Sequence, residues 1–225
     1  MKIDFVSDIA CPWCVVGLNA LEIALKRIGD DIPITLHMQP FELNPDMAPE
    51  GVDASEYLSH KYALSAAQLA ANRANIRARG DAVGFSFGER SRVWNTFDAH
   101  RLLHWAGLQD IAKQRALKHA LLRIYHGESR NPSAKGVLLE LAQEVGLDVA
   151  TAQRILESDS YASEVREAEA FWRDNGINAV PAVIIDNKHL ISGGHPPEVF
   201  EQALRRIAME TPDAANAAPV QPESD

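Results

Sequence analysis

The sequence predicts an α/β fold in which one small sheet is interrupted by a long helical insertion. Three observations indicate this: a strand–helix–strand pattern near the N-terminus, an alanine-rich helical pattern from Asp53 to about Gly176, and β-branched runs after that. We therefore expect a discontinuous α/β domain over 1–52 and 177–210, an all-helical insertion over 53–176 and a disordered tail over 211–225.

The first three predicted elements form a βαβ unit. Ile3 to Ser7 alternate apolar and polar residues, as a short strand does, and Ile32 to Met38 return as a second strand. The intervening apolar residues recur at helical spacing, namely Leu18, Leu21, Ala24, Leu25 and Ile28. Two strands joined by a helix are expected to lie parallel, with a right-handed crossover.

The middle of the chain predicts seven helices, separated by glycine-containing breaks. They are expected near 54–62, 65–79, 95–107, 110–126, 133–146, 148–158 and 161–175. Ser133 and Asp148 are candidate N-caps. After them, 182–185 and 189–191 read as a hairpin, and Pro196-Pro197 opens a last helix. Its predicted buried face is Val199, Phe200, Ala203, Leu204 and Ile207.

The two cysteines of the chain form one tetrapeptide, Cys11-Pro12-Trp13-Cys14, where the first strand ends and the first helix begins. Unpaired N–H groups and the positive end of the helix dipole would stabilise a thiolate at Cys11, and Pro12 suits the first helical position. Cys14 would follow within the same turn. We therefore interpret Cys11 as a nucleophile and Cys14 as a resolving thiol. A structural zinc site is disfavoured, because no second Cys pair is present.

Composition predicts a soluble globular protein. The net charge is −9, 46% of residues are hydrophobic and 24% are charged. This balance disfavours nucleic acid as a partner, and no apolar run approaches the ~20 residues of a membrane helix. Met1-Lys2 leads directly into the first strand, without the pattern of a signal peptide, so we expect a cytoplasmic location. In that compartment a Cys pair is more often catalytic, redox-sensing or metal-binding than structural.

Four segments in this order resemble the DsbA-like branch of the thioredoxin fold, and within it the FrnE-like cytoplasmic members. They are Ser7 to Gly17 with its CPWC motif, Asn95 to Leu102, Val180-Pro181-Ala182, and Ser192 to Phe200. The resemblance covers about residues 2–208. It implies a disulfide oxidoreductase or isomerase that works through a mixed disulfide at Cys11, with Pro181 in the cis form beside it and no resident cofactor.

The resemblance also implies a site for an incoming peptide. The backbone before the cis-proline pairs with a substrate strand in this fold, so Val180 would offer its N–H and C=O groups. Pro12 and Trp13 are expected to contact the substrate, Trp13 as an exposed side chain between the cysteines. Asn95, Asp98 and His100 are candidates to line a substrate groove, or else to pack the insertion against the active-site helix.

Several charged residues near these motifs have two interpretations. Asp8 either lies buried, where it could take a thiol proton, or faces solvent at the strand end. Arg92 and Arg101 could bind a carboxylate such as that of glutathione, although surface solvation is favoured. His100 and His104 lie four residues apart, but without an H-E-x-x-H pattern a metal site is disfavoured. The motif itself contains no basic residue, so the direction of electron flow stays open.

Three functions are compatible with these patterns. The favoured one is a thiol–disulfide oxidoreductase or isomerase of protein or small-molecule thiols, recycled by glutathione or a thioredoxin system. The second is a glutathione-dependent isomerase or transferase resembling the 2-hydroxychromene-2-carboxylate isomerases and kappa-class transferases. Those relatives typically need only the first motif position, so the presence of both Cys11 and Cys14 argues against it. The third is a non-catalytic protein that binds peptides.

Overall fold

The computed structural model describes residues 1–210, and the predicted tail at 211–225 lies outside the described residues. The expected α/β order is confirmed. The first and last parts of the chain form a four-stranded sheet in the order β2-β1-β5-β6, with β1 parallel to β2 and antiparallel to β5. Its elements are β1 (Lys2–Ser7), α1 (Pro12–Ile28), β2 (Thr35–Pro40), β5 (Ala182–Ile185), β6 (His189–Ser192) and α9 (Pro197–Glu210).

Apolar side chains of α1 and α9 cover this sheet. Phe5 of β1 and Val183 of β5 are fully buried beneath them. Phe200, Leu204 and Ile207 of α9 are buried as predicted. The prediction for Val199 is wrong, because this side chain lies in the first turn of α9 and is 39% exposed.

The insertion contains the seven predicted helices, but it is not all-helical. Its helices are α2 (Ala54–Tyr62), α3 (Ala66–Asp81), α4 (Phe97–Gln109), α5 (Ile111–Leu122), α6 (Lys135–Glu144), α7 (Val149–Leu156) and α8 (Ala162–Asp174). Two short strands, β3 (Val52–Asp53) and β4 (Arg92–Val93), pair antiparallel at its start. The helix expected at 110–126 ends at Leu122 and continues as a π-helical turn, Arg123–Gly127.

Of the two predicted N-caps, Asp148 is confirmed and Ser133 is wrong. The Asp148 carboxylate accepts a hydrogen bond from the Thr151 N–H and caps α7, as predicted. Ser133 does not cap α6, because Ala134 occupies that position and the Ser133 hydroxyl donates to the Asn95 carbonyl. The Ser133 side chain instead joins α6 to the segment before α4.

The insertion has a hydrophobic core of its own, and the chain just before Cys11 is part of it. Ile9 and Ala10 are buried among Leu102, Leu117 and Leu121 of α4 and α5. The three tryptophans expected in the core are buried, namely Trp94, Trp105 and Trp172. No helix within residues 1–210 is long and apolar enough to cross a membrane.

Candidate active site

Cys11 and Cys14 lie together at the start of α1. Cys11 is the N-cap residue, in an extended conformation, and Pro12 occupies the first helical position as predicted. The Cys14 N–H donates to the Cys11 carbonyl at 3.1 Å. Both thiols are free; Cys11 is 4% exposed and Cys14 is fully buried. The pair therefore has an outer and an inner sulfur, and only the outer one borders open space.

The Val180–Pro181 peptide bond is cis and lies against the cysteine pair. The Cys11 Sγ atom is 3.5 Å from the Val180 carbonyl oxygen, to which it donates. Gly17 permits the close approach of α1, since a Cβ atom there would be 2.9 Å from Pro181 Cγ. The Pro181 carbonyl accepts from the Gly193 N–H at 2.8 Å, which joins this loop to the end of β6.

A buried ammonium group lies behind the inner sulfur. Burial raises the pKa of the Cys14 thiol well above its ordinary value, and the neighbouring Cys11 raises it further. The positive charge of Lys118 acts in the opposite direction and lowers the pKa of Cys14. Lys118 is 1% exposed, and burial lowers the pKa of its own ammonium group. Nothing in the sequence pattern of α5 marked this lysine as part of the site.

Asp8 is buried, so the interpretation as a solvent-facing strand end is wrong. Its carboxylate accepts hydrogen bonds from the N–H groups of Ala10 (3.0 Å) and Leu43 (2.8 Å) and from the Thr96 hydroxyl (2.8 Å). The His100 Nε2 atom lies 3.4 Å away. Burial alone would raise the pKa of Asp8, but His100 and the backbone donors lower it to about 2. The carboxylate therefore stays ionised and anchors the chain before Cys11.

The cavity beside Cys11, which we call the Cys11 groove, has a volume of about 950 Å³. Cys11, Pro12, Trp13 and Val180 line one side, and α2, α3 and residues 87–91 line the other. Trp13 is half-buried, not exposed as predicted, because it packs on the sheet-side core and the Arg79 guanidinium lies 5.9 Å from its ring centroid. The structure thus brings together the two cysteines and four of the predicted substrate contacts: Pro12, Trp13, Val180 and Pro181.

Asn95, Asp98 and His100 do not line this groove, so that expectation is corrected. The Asn95 amide donates to the Met47 carbonyl at 3.0 Å, and Asp98 pairs with Arg101 at 2.8 Å. His100 is buried against Asp8. These side chains are occupied in holding the start of α4 against neighbouring loops and against the chain before Cys11.

Arg92 and Arg101 both bind backbone carbonyls, but only Arg101 is buried, whereas Arg92 is exposed. Arg101 is 4% exposed and donates to the carbonyls of Ser160, Ile155 and Ser158. Arg92 donates to the Glu50 and Gly51 carbonyls. The prediction of surface solvation for Arg101 is therefore wrong, because its charge serves to close the turn after α7.

His126 is a groove residue that the sequence did not indicate. It lies in the π-helical turn, is 3% exposed, and its Nε2 atom is 2.8 Å from the Ile9 carbonyl oxygen. Burial and the nearby Arg90 charge lower the pKa of His126 to about 3, so the ring is neutral. Within residues 1–210, no three His, Cys, Asp or Glu side chains converge on a point that could hold a metal ion.

Comparison with known proteins agrees with this architecture. The family model described as a DsbA-like thioredoxin domain matches residues 2–205. The crystal structure of a probable DsbA oxidoreductase from Streptomyces coelicolor is 32% identical, covers 99% of this chain and 94% of its own, and has a TM-score of 0.86. The uncharacterized protein YwbO of Bacillus subtilis is 29% identical over 207 residues, which are 91% of this chain and 96% of that protein.

One more distant structure shares the fold. The cytosolic disulfide reductase DsbM of Pseudomonas aeruginosa, solved with glutathione (GSH), is 16% identical and has a TM-score of 0.64. The match covers 93% of this chain and 100% of the DsbM chain. The predicted thioredoxin fold with a helical insertion is therefore confirmed.

Proposed function

Because the chain belongs to the family of DsbA-like thioredoxin domains, we propose that it is a thiol–disulfide oxidoreductase whose redox pair is Cys11 and Cys14. The observation that carries the proposal is the asymmetry of the two sulfurs. Cys11 lines the Cys11 groove beside Val180, whereas Cys14 is fully buried behind it. An incoming disulfide can reach only the first.

The proposed reaction has two exchange steps. The Cys11 thiolate attacks one sulfur of a substrate disulfide; that S–S bond breaks, and the other substrate sulfur leaves as a thiolate and takes a proton. Cys14 then loses its proton and attacks the Cys11 sulfur. The mixed disulfide breaks, the second substrate thiol leaves, and a Cys11–Cys14 disulfide forms. Two electrons pass from the protein to the substrate, and the reverse sequence oxidises a dithiol.

The electrostatics of the site support this order of steps. Cys11 is the N-cap residue of α1 and lies next to the unpaired N–H groups of its first turn. The raised pKa of Cys14 keeps the inner thiol protonated, so it does not compete for the incoming disulfide. Resolution then requires Cys14 to lose that proton, and the positive charge of Lys118 favours the loss. Isomerisation would follow when a thiol of the substrate resolves the mixed disulfide before Cys14 does.

The oxidised pair needs a reductant for the next turnover. We propose a low-molecular-weight thiol such as glutathione in a reducing compartment, with a thioredoxin system as the other candidate. Support comes from DsbM, which shares the fold and was solved with glutathione. Two glutathione thiols would supply the two electrons and leave as glutathione disulfide.

Substitution of each cysteine tests the proposal. We expect Cys11→Ser to abolish insulin reduction and disulfide reshuffling, and Cys14→Ser to accumulate a mixed disulfide with the substrate, seen by mass spectrometry under non-reducing conditions. Since the chain has no other cysteine, each trapped adduct reports one position. Full activity of Cys11→Ser would contradict the proposal.

The same variants separate the two other functions. Unchanged turnover of a glutathione conjugate by Cys14→Ala would favour a glutathione-dependent isomerase or transferase, because that chemistry needs no resolving thiol. Retention of unfolded peptides by a protein with serine at both positions, together with no exchange activity in the native protein, would favour a peptide-binding protein.

A further inference from the structure

We propose that the Cys11 groove selects acidic polypeptide segments, so that the substrates are cysteine-containing regions rich in Asp and Glu. This inference rests on the proposed function and specifies its substrate class. It comes from the charges around the groove, which differ in sign from the charge of the molecule as a whole.

Four cationic side chains line the groove: Lys61 of α2, Arg73 and Arg77 of α3, and Arg90 of the segment before β4. Only two acidic side chains line it, Asp53 and Glu89. The Asp53 carboxylate already accepts the N–H groups of Ser55 and Glu56 as the N-cap of α2. The groove therefore carries a local excess of positive charge in a chain whose net charge is −9.

None of these four cations forms an ion pair within the part of the chain that the structure describes. Their hydrogen bonds go to neutral oxygens. Lys61 donates to the Leu43 carbonyl at 3.0 Å and to Asn44 Oδ1 at 2.6 Å. Arg73 donates to the Ser55 hydroxyl at 2.8 Å.

Arg90 is the most constrained of the four cations. It donates to the Tyr125 hydroxyl at 2.8 Å, and its Nε atom is buried without a hydrogen-bond partner. A buried guanidinium nitrogen without an acceptor is unfavourable unless a ligand supplies one. A carboxylate in the groove would supply the negative charge that the Arg90 guanidinium lacks.

The rest of the molecule pairs most of its arginines with carboxylates. The arginines in ion pairs are Arg27, Arg101, Arg115, Arg123, Arg130, Arg166, Arg173, Arg205 and Arg206. Outside the groove, Arg79, Arg92 and Arg154 donate to neutral oxygens as well. The unpaired cations of the groove would attract a negatively charged segment and repel a basic one.

The arrangement fits a polypeptide better than a small thiol. The cations come from three separate elements, and Arg73 and Arg77 lie one helical turn apart, about 5–6 Å. The volume of about 950 Å³ is at the upper end of the roughly 300–1,000 Å³ of small-molecule pockets. A tripeptide thiol such as glutathione has two carboxylates and would leave two of the four cations unpaired. An extended polypeptide segment at Val180 can carry several carboxylates.

The test uses the reduced, full-length protein and fluorogenic disulfide-linked peptides of one length, whose flanking residues are acidic, neutral or basic. We expect single-turnover reduction of the acidic peptide to be about tenfold or more faster than that of the neutral one at low salt, with the difference shrinking as salt is added. Combined Arg73→Gln and Arg77→Gln should remove most of the acidic preference. Arg206→Gln, which removes one positive charge at a 73% exposed side chain of α9, should not.

The outcomes separate this inference from the proposed function. Equal rates for the three peptides would overturn the acidic selection while leaving the oxidoreductase intact, whereas no reduction of any peptide would overturn the proposed function itself. If the double variant slowed reduction of glutathione disulfide and left the peptide preference unchanged, the cations would serve a small thiol and the polypeptide assignment would be wrong. Far-UV circular dichroism of each variant verifies its fold.

Discussion

Lys118 contributes a positive charge to the buried side of the cysteine pair. It lies on α5 in the insertion, whereas Cys14 belongs to α1 of the sheet-forming part. Its side chain also borders a second cavity, of about 200 Å³, which shares no lining residue with the Cys11 groove. The Cys11 groove and the cavity beside the buried amine are therefore separate. The insertion supplies the charge that makes the inner thiol easier to ionise.

Removal of this charge should slow the resolving step. In Lys118→Met the pKa of Cys14 should rise, since the positive charge that lowers it is lost. Each unit of rise lowers the thiolate fraction at neutral pH about tenfold. We expect the pH–rate profile for resolution of a preformed mixed disulfide, measured by quenched flow, to shift to higher pH by about one unit.

Lys113→Met is the matched control for that measurement. Lys113 lies on the same helix, and its ammonium group donates to the Gly146 carbonyl at 2.6 Å, away from the thiols. Its profile should match that of the native protein. An unshifted profile in Lys118→Met would show that the buried amine does not influence Cys14.

At the scale of single residues, the sequence predicted the sulfurs but not their surroundings. Cys11 and Cys14 could be identified because their spacing and the strand-to-helix junction are local features. The distant partners of Asp8 come from the segment after β2, the residue before α4 and α4 itself, and His126 reaches Ile9 from a π-helical turn. Such contacts depend on tertiary packing, for which one sequence contains no periodic signal.

At the scale of elements, α8 is joined to the segment after β2 by two buried carboxyl groups. The Glu42 N–H donates to Glu169 Oε1 at 2.9 Å, and Arg166 bonds both side chains. The Arg166 guanidinium also lies 3.8 Å from the centroid of the Phe97 ring of α4. The next residue, Leu43, donates to Asp8, so this junction continues to the chain that precedes Cys11.

This junction should make stability depend on pH. Burial, and then the negative charge of Glu169, raise the pKa of Glu42 from 4.5 to about 8, so its carboxyl is protonated at neutral pH. Between these values the folded protein holds a proton that the unfolded chain has released. The Glu42 carboxyl therefore contributes a fall in the free energy of unfolding as pH rises from about 4.5 to about 8. His126, whose pKa is lowered from 6.5 to about 3, contributes an opposite rise up to about pH 6.5, so the net fall is expected between about pH 6.5 and 8. Urea denaturation across this window measures the fall.

Glu42→Gln should remove most of this pH dependence, because glutamine resembles the protonated carboxyl and does not titrate. The matched control is Glu167→Gln, an exposed position on α8, the helix that carries Glu169, and it should retain the native slope. A native slope in Glu42→Gln would mean that the carboxyl pair is not the source of the effect.

The prediction of helices and strands was wrong where the structure depends on very few residues. The pairing of β3 with β4 involves two residues from each strand, too few for an alternating pattern to be recognised. The helix expected over 110–126 changes to a π-helical turn at Arg123, where the His126 carbonyl accepts from the Gly88 N–H. Sequence periodicity continues through this change, because the turn keeps Ile124 and Tyr125 buried.

At the scale of the whole molecule, the insertion and the sheet-forming part share their cores. Ile9 and Ala10 of the sheet-forming part are buried in the core of the insertion. Val83 and Leu122 of the insertion are buried in the core beside the sheet. The predicted boundaries at 52/53 and 176/177 separate segments along the chain. That they also separate two cooperative folding units stays a prediction. The Cys11 groove needs both parts, since its walls come from α2 and α3 and its floor from α1.

These shared cores predict that the molecule unfolds as one unit. Leu122 is 1% exposed, so Leu122→Ala should lower the free energy of unfolding by about 2–5 kcal/mol. It should do so equally for helix content, followed by circular dichroism, and for the accessibility of the fully buried Cys14 to a thiol reagent in urea, measured with Cys11 replaced by serine. Leu108→Ala on α4, where the side chain is 62% exposed, should change neither midpoint measurably. If Cys14 became reactive at a lower urea concentration than the helices unfold, the sheet-forming part would open independently of the insertion, and the shared core would not couple them.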